Sequence, residues 1–418
     1  MKTKLLATLA LALSNPALHA QAPMKVERVV ILMRHGVRPP TKALPLPEGT
    51  TPDAWPSWPV EPGFLTPHGA LAVRRLGAAD AAELRAQGLF PARGCPGIRI
   101  VADSDQRTIE TARNWARTAA PGCTIAADHL PQGSNDPRFG PIEAGLVTLD
   151  PAQVDAAIAQ GVGPGGMAAV DAAQRPLLTR IDAILCGKAT SGCGLGNQPA
   201  AITPARPDHR PKLSGALDRS STMAQILLLE YGEGKPMAQV GWGRATPADI
   251  ARLSALHALE FRLLARPLPE ARANLSGLLP IIREGLTGDT PVTLISGHDT
   301  NVANLGGLLD LHWQVPGLAQ DDPAPGGAIV LERLRGPDGA LYLRASYRAQ
   351  SLEQIRRAAP LGRGQTYRVV IPIPGCAPVA GGLCRLQDGL KLLGGQPPRQ
   401  SRQNHKGRSG RASALSMA

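Results

Sequence analysis

Aromatic residues are scarce. Phe, Tyr and Trp make up 3% of the 418 residues, so stacking platforms for bases are few and single-stranded nucleic acid is a poor partner. There is no zinc-finger spacing, no aromatic RNA-binding motif and no long basic helix. Acidic residues are outnumbered, 33 Asp and Glu against 45 Lys and Arg, for a formal net charge of +12. With no nucleic acid expected, that excess, most of it arginine, fits small anions such as phosphate. Long apolar runs are missing too. No segment supplies the roughly 20 apolar residues of a membrane-spanning helix, so no permanent membrane anchor is expected. The apolar stretch 5–13 is too short to span. Lys2 and Lys4 precede it and the small residues Ala20 and Ala22 follow it. It reads as a signal peptide over 1–22, and a periplasmic or secreted protein follows.

Cysteine is present but sparse. Six residues fall in local pairs, Cys95 with Cys123, Cys186 with Cys193 and Cys376 with Cys384. In an oxidising compartment this suggests three short-range disulfides, although six cysteines allow fifteen pairings. No pair has the C-x-x-C spacing with a nearby histidine that a zinc site needs, and no cofactor is implied.

A chain this long holds about two domains. The β-branched run Val29, Val30, Ile31 predicts a strand over 26–33, buried on both faces as in a parallel sheet. Thr66 followed by Pro67 caps a helix that closes near Gly88. A strand over 98–102 leads into a helix capped by Ser104 or Asp105, and a short strand over 123–126 follows. This alternation predicts an α/β fold with a parallel-rich central sheet flanked by helices. From 131 to 243 strand signals are few, and a smaller, mostly helical inserted domain is expected. The α/β pattern returns after a helix over 248–264, with strands over 292–295, 328–334, 341–347 and 367–373. The α/β domain is thus discontinuous, 23–130 and 244–384. The remainder, 385–418, rich in Arg, Gln, Ser and Gly from 395 on, reads as a basic disordered tail.

Three strand ends carry chemistry. The first runs into Arg34-His35-Gly36-Val37-Arg38, the second into Asp103-Ser104-Asp105-Gln106-Arg107, the third into Gly297-His298-Asp299-Thr300-Asn301. In an open parallel sheet, ligands bind beyond the carboxyl ends of the strands. That places Arg34, Arg38, Arg107, His35, His298 and Asp299 around one crevice. Guanidinium groups grip phosphate oxygens two at a time without a metal, and a neutral imidazole can attack phosphorus directly. The arginines would hold His35 below its free value of ~6.5, and Asp299 is the nearest acid for the departing oxygen. Gly161 to Gly166 superficially suggests a phosphate loop, but no strand precedes it. His68, His257 and His312 stand isolated, with packing or surface roles.

The segments VVILMRHGVRPPTK, TPDAWPSWPVEPGFLTPHG, VADSDQRTIETA, GWGR and ISGHDTNVANLGG resemble the histidine acid phosphatases, and most of all the bacterial periplasmic phytase/acid phosphatase group. The resemblance implies the histidine phosphatase fold with a cleft between an α/β and a helical domain. It implies that His35 is the nucleophile and Asp299 the proton donor, with Arg34, Arg38, Arg107 and His298 on the transferred phosphate. Thr41, Lys42 and Asp103 match positions lining the substrate pocket, and Thr41-Lys42 favours phytate over glucose 1-phosphate. Gln225 stands where such phytases have Glu, Asn274 near an Arg, and Val147 in place of a long-range disulfide's first cysteine. The implied partners are phosphate esters, hydrolysed by a monomer. The rival readings are a sugar-phosphate phosphatase of the same fold, a cytoplasmic mutase using the same phosphohistidine, which an export signal disfavours, and a non-catalytic phosphate-binding protein.

Overall fold

A computed structural model describes residues 24–41, 48–376 and 379–394. The signal-like segment 1–22 and Lys42 lie outside the described residues.

The sheet begins with β1 (Lys25–Arg34), followed by α1 (Pro67–Ala86), β2 (Ile98–Ala102), α2 (Gln106–Ala119) and β3 (Ala127–Asp128). The middle holds α3 (Pro151–Val162), α4 (Gly166–Cys186), the small ribbon β4 (Ala201–Ile202) and β5 (Leu213–Ser214), and α5 (Ala216–Gly232). Then come α6 (Pro247–Leu264), α7 (Leu268–Leu275), α8 (Leu279–Thr287), β6 (Val292–Gly297) and α9 (Asp299–Leu308). The chain continues through β7 (Ala328–Arg335), β8 (Leu341–Ala349), α10 (Leu352–Arg357), β9 (Tyr367–Ile371), β10 (Cys384–Arg385) and α11 (Leu386–Leu392).

The eight-stranded sheet runs β10-β8-β7-β1-β6-β2-β3, with β9 also on β8. β1, β6, β2 and β3 are parallel, and β7 to β10 add on antiparallel. β1 is central. Its alternating side chains feed two cores, Ile31 and Met33 with α1 and α2, Val30 and Leu32 with the helices of the other face. Such two-sided burial is why the strand reads as a continuous apolar run rather than an alternating one. α1 starts as expected, with Thr66 Oγ1 accepting from the Gly69 amide and Pro67 at the first helical position.

The register places the three expected loops side by side. Arg34 pairs with Gly297, and Ala102 with Ser296. The sequence positions that follow, 35, 298 and 103, therefore emerge together at one edge.

Some boundaries differ from expectation. The short strand expected over 123–126 forms at Ala127–Asp128, because Cys123 is still in a turn, its amide donating to Ala120 O at 3.1 Å. The boundary expected at 243/244 falls between α5 and α6, which pack on each other, so the helical layer runs on to Leu264. The first residues of the tail expected from 385 form structure, and its remainder, 395–418, lies outside the described residues. Cys384 pairs with Leu343 of β8, and α11 buries Leu386, with Leu393 buried just beyond its end. These leucines on one helical face outweigh the basic composition around them. Disulfides join Cys95 to Cys123, Cys186 to Cys193 and Cys376 to Cys384.

Candidate active site

Where β1 ends, the backbone is held from both sides. The Arg34 amide donates to Gly327 O and the His35 amide to Gly297 O, each at 2.9 Å, and the Gly36 amide donates to the buried Thr111 hydroxyl at 3.0 Å. Gly36 has no room for a side chain, since a Cβ would meet Leu65 and Val73 at 2.9 Å each. The turn is thus packed tightly, and His35 is 1% exposed. Its Nδ1 lies 2.8 Å from Gly36 O. A carbonyl only accepts, so Nδ1 carries the proton and Nε2 keeps a free lone pair. Burial first, then the charges of Arg38, Arg107, Arg34 and His298, holds His35 well below its ordinary value, which keeps that nitrogen unprotonated in mild acid.

Around it stand the arginines. Burial, then Arg107, pushes Arg38 down to about 9, still cationic at neutral pH. Arg34 is fully buried, with NH1 on Pro323 O at 2.5 Å and NH2 on Gln225 Oε1 at 2.8 Å and Asp299 Oδ2 at 2.9 Å. Arg107 reaches Asp105 at 2.6 Å and His298 Nδ1 at 3.5 Å. The buried Nε atoms of all three arginines have no partner among the described residues. Unsatisfied buried donors are costly, and a bound anion would relieve them.

His298 caps α9, its amide donating to Asn301 Oδ1 at 3.0 Å, and its Nε2 donates to Asp103 Oδ2 at 2.5 Å. Asp299 opens α9, where a carboxylate complements the helix dipole, and its Oδ1 accepts from the Thr300 amide at 2.9 Å. Burial alone would raise Asp299. Arg34 above all, with Arg38 behind it, outweighs it and holds this carboxyl well below the usual carboxylate range.

The family model of the histidine phosphatase superfamily, branch 2, matches residues 25–164. Escherichia coli (strain K12) phytase AppA is 35% identical over 396 residues, 88% of this chain and 91% of that protein. The chain belongs to branch 2 of the histidine phosphatase superfamily. Salmonella typhimurium glucose-1-phosphatase is 30% identical over 87% of this chain and 90% of its own. Among solved structures, the Citrobacter braakii phytase superposes with a TM-score of 0.82 at 32% identity, over 89% of this chain and 98% of that one. The Hafnia alvei phytase in complex with myo-inositol hexakis sulphate gives 0.82 at 31%, over 90% and 98%.

In this branch 2 phosphatase the strand-end residues open on a cleft of about 360 Å3, walled further out by Ser134, Asn135, Glu143, Arg210 and Asn274. A side pocket of about 200 Å3 runs past Arg38, Thr41 and Gln225 to His257 and Asp299. Gln225 and Asn274, read as lost outer charges, have local bonds. Gln225 faces Arg34, and Asn274 donates to Asn304 Oδ1 at 2.7 Å. The loop that follows the His35 turn is pinned to the helical layer. Trp242 Nε1 donates to Ala54 O and Arg244 NH1 to Asp53 Oδ2, both at 2.7 Å, Lys235 Nζ donates to Ser57 O at 2.5 Å, and Trp55 packs on Trp242.

One expectation is overturned. His257, read as isolated, sits at the site, buried on α6, with Nδ1 2.6 Å from Asp322 Oδ1 and Nε2 3.9 Å from Asp299 Oδ2. Nothing local signals this. Its partner is 65 residues away in sequence. By contrast the Gly161 to Gly166 stretch ends α3 and begins α4, and lines none of these clefts.

Proposed function

We propose that this protein is an acid phosphatase that hydrolyses phosphate monoesters through a phosphohistidine at His35. The observation that carries the reading is the free Nε2 of His35 beside three arginines whose buried Nε donors are unpaired. Phosphate oxygens would sit among Arg34, Arg38, Arg107 and His298. Nε2 attacks phosphorus as the P–O bond to the leaving group breaks, and Asp299 gives its proton to the departing oxygen. Water then attacks the phosphohistidine with Asp299 accepting its proton, which releases phosphate and restores His35. Phytate is the expected substrate, supported by likeness to the E. coli and Citrobacter braakii phytases and by Thr41 in the cleft wall. Export and a monomeric state complete the proposal.

The test is His35→Ala with acid-quenched, labelled substrate. Wild type should yield an acid-labile, base-stable phosphoenzyme, and the variant none, with nearly all turnover lost. Near-normal turnover in the variant would sink the mechanism. The 30% identity to a glucose-1-phosphatase, with uncharged Gln225 and Asn274 at the cleft, favours a second reading, a sugar-phosphate phosphatase. Rates on phytate and glucose 1-phosphate, side by side, separate the two.

A further inference from the structure

The mechanism leaves Asp299 with a difficulty. It must deliver a proton, yet Arg34 lies 2.9 Å from its Oδ2 and favours the ionised form, while the His257 Nε2 stands 3.9 Å from the same oxygen. A carboxylate so placed needs a proton source close by, and its own side chain is 18% exposed.

His257 fits that need by geometry. Asp322, fully buried, accepts from Nδ1 at 2.6 Å, which commits that nitrogen's proton and aims Nε2 at Asp299. The imidazole edge packs on Phe261, ring centroids 4.3 Å apart, so the ring is held on both sides. The second oxygen of Asp322 has no partner among the described residues, and a buried carboxylate with so few donors is best compensated by a cation on its one bonded neighbour. The next residue binds the guanidinium, Pro323 O accepting from Arg34 NH1. Residues 322 and 323 thereby hold His257 and Arg34 against Asp299. The remaining charged groups around the pair are Arg38 and His35 from the nucleophile turn and Glu260 from α6, with Asp218 of α5 acting on Glu260. Burial, together with Asp218 and Asp299, raises Glu260, which leaves it a weak competitor for the imidazole.

We propose that His257, oriented by Asp322, is a positioning residue that stores the proton Asp299 delivers. The proposal rests on the phosphohistidine mechanism above. When a phosphate group engages the arginines, Arg34 loosens its hold on Asp299, and closing the 3.9 Å gap by about 1 Å makes a hydrogen bond. The Nε2–H bond of the imidazolium breaks with its electron pair left on nitrogen, and an O–H bond forms on Asp299. That O–H then breaks as the leaving oxygen takes the proton. In the second half-reaction the attacking water's proton passes to Asp299 and back to His257, so the relay ends as it began.

His257→Gln and Asp322→Asn test this with an alkyl ester, glycerol 2-phosphate, and an aryl ester, 4-nitrophenyl phosphate. The alkyl oxygen needs a proton to leave and the aryl oxygen barely does. His257→Gln should lower kcat/KM on the alkyl ester by about tenfold to a hundredfold, and on the aryl ester far less. The alkaline limb of kcat on the alkyl ester should move to lower pH by about one unit, because the proton shared by the pair then rests on the carboxyl alone. Asp322→Asn should shift both readouts the same way by a smaller amount, and it decides the matter if His257→Gln fails to fold. Equal slowing of both esters with an unmoved limb, in a variant that still forms the phosphoenzyme, overturns the relay alone. Absence of a phosphoenzyme in wild type overturns the mechanism and the relay with it.

Discussion

Nε2 of His298 and Oδ2 of Asp103 lie 2.5 Å apart, so an acid from the end of β2 fixes an imidazole from the end of β6. A hydrogen bond between groups that can both be charged contributes about 1.5–3 kcal/mol. Asp103→Ala should therefore lower kcat/KM by about tenfold or more. Competitive inhibition by inorganic phosphate should weaken in parallel, because the loss falls on phosphate binding. Undiminished phosphate inhibition would place Asp103 outside the phosphate grip.

Asp299 separates leaving groups. Asp299→Asn keeps the shape and the bond from the Thr300 amide but has no proton to give. Phytate, with alkoxide leaving groups, should slow by at least about a hundredfold, and 4-nitrophenyl phosphate far less. Parallel loss on both substrates would mean that Asp299 acts by positioning alone.

The pH profile follows from two downward shifts. His35 is held well below its free value, so its nucleophilic form persists on the acid side of ~6.5. Asp299 is lowered as well, and bound phosphate must raise it before it can act as an acid. Activity should peak in acid, fall towards neutrality as the Asp299 proton is lost, and fall at the acid extreme as His35 protonates. Measurement of kcat/KM from about pH 2 to 8 checks this, and a maximum above pH 7 would contradict it.

Metal removal should leave turnover intact, since the phosphate charge meets guanidinium and imidazole groups. Exhaustive chelation followed by assay is the check. A loss restored by zinc or magnesium would direct attention to Asp103, Asp105 and His298, whose ligand atoms lie within 4.8 Å of one another.

Stability should also favour acid. Burial raises Glu230 to about 7, although it accepts a bond from the Gly241 amide at 2.9 Å. A carboxyl whose folded value exceeds its unfolded one contributes fully below the unfolded value, and that contribution is lost as pH rises towards the folded one. Between about 4.5 and 7 the cost grows to on the order of 3 kcal/mol. Glu230→Gln, which keeps the acceptor, should match wild type in urea melts at pH 4 and exceed it at pH 7.5. Equal stability at both pH values would refute the burial argument.

The catalytic strand ends were legible because each is local. A β-branched run followed at once by Arg34-His35-Gly36, or by His298-Asp299, announces both element and chemistry within a few residues. The cap at Thr66 is local in the same way. His257 was illegible because its meaning lies in Asp299, at the start of α9, and Asp322, in the loop before β7, which reach it only in the folded chain. The small strand β10 escaped for a related reason, since two residues have no period and Cys384 is placed by its partner Leu343. Arg34 sits deeper than its motif implies, tied to Gln225 and Pro323 by contacts far along the chain.

The loop pinned by Trp242, Arg244 and Lys235 starts at the His35 turn but is fastened to the helical layer. Among the described residues, the bonds that fasten the loop involve none of the strand-end residues. Descendants of such a protein can therefore drift in the loop and its anchors while the reaction centre is inherited intact. Closely related enzymes with one chemistry and different diets are what that division of the chain permits.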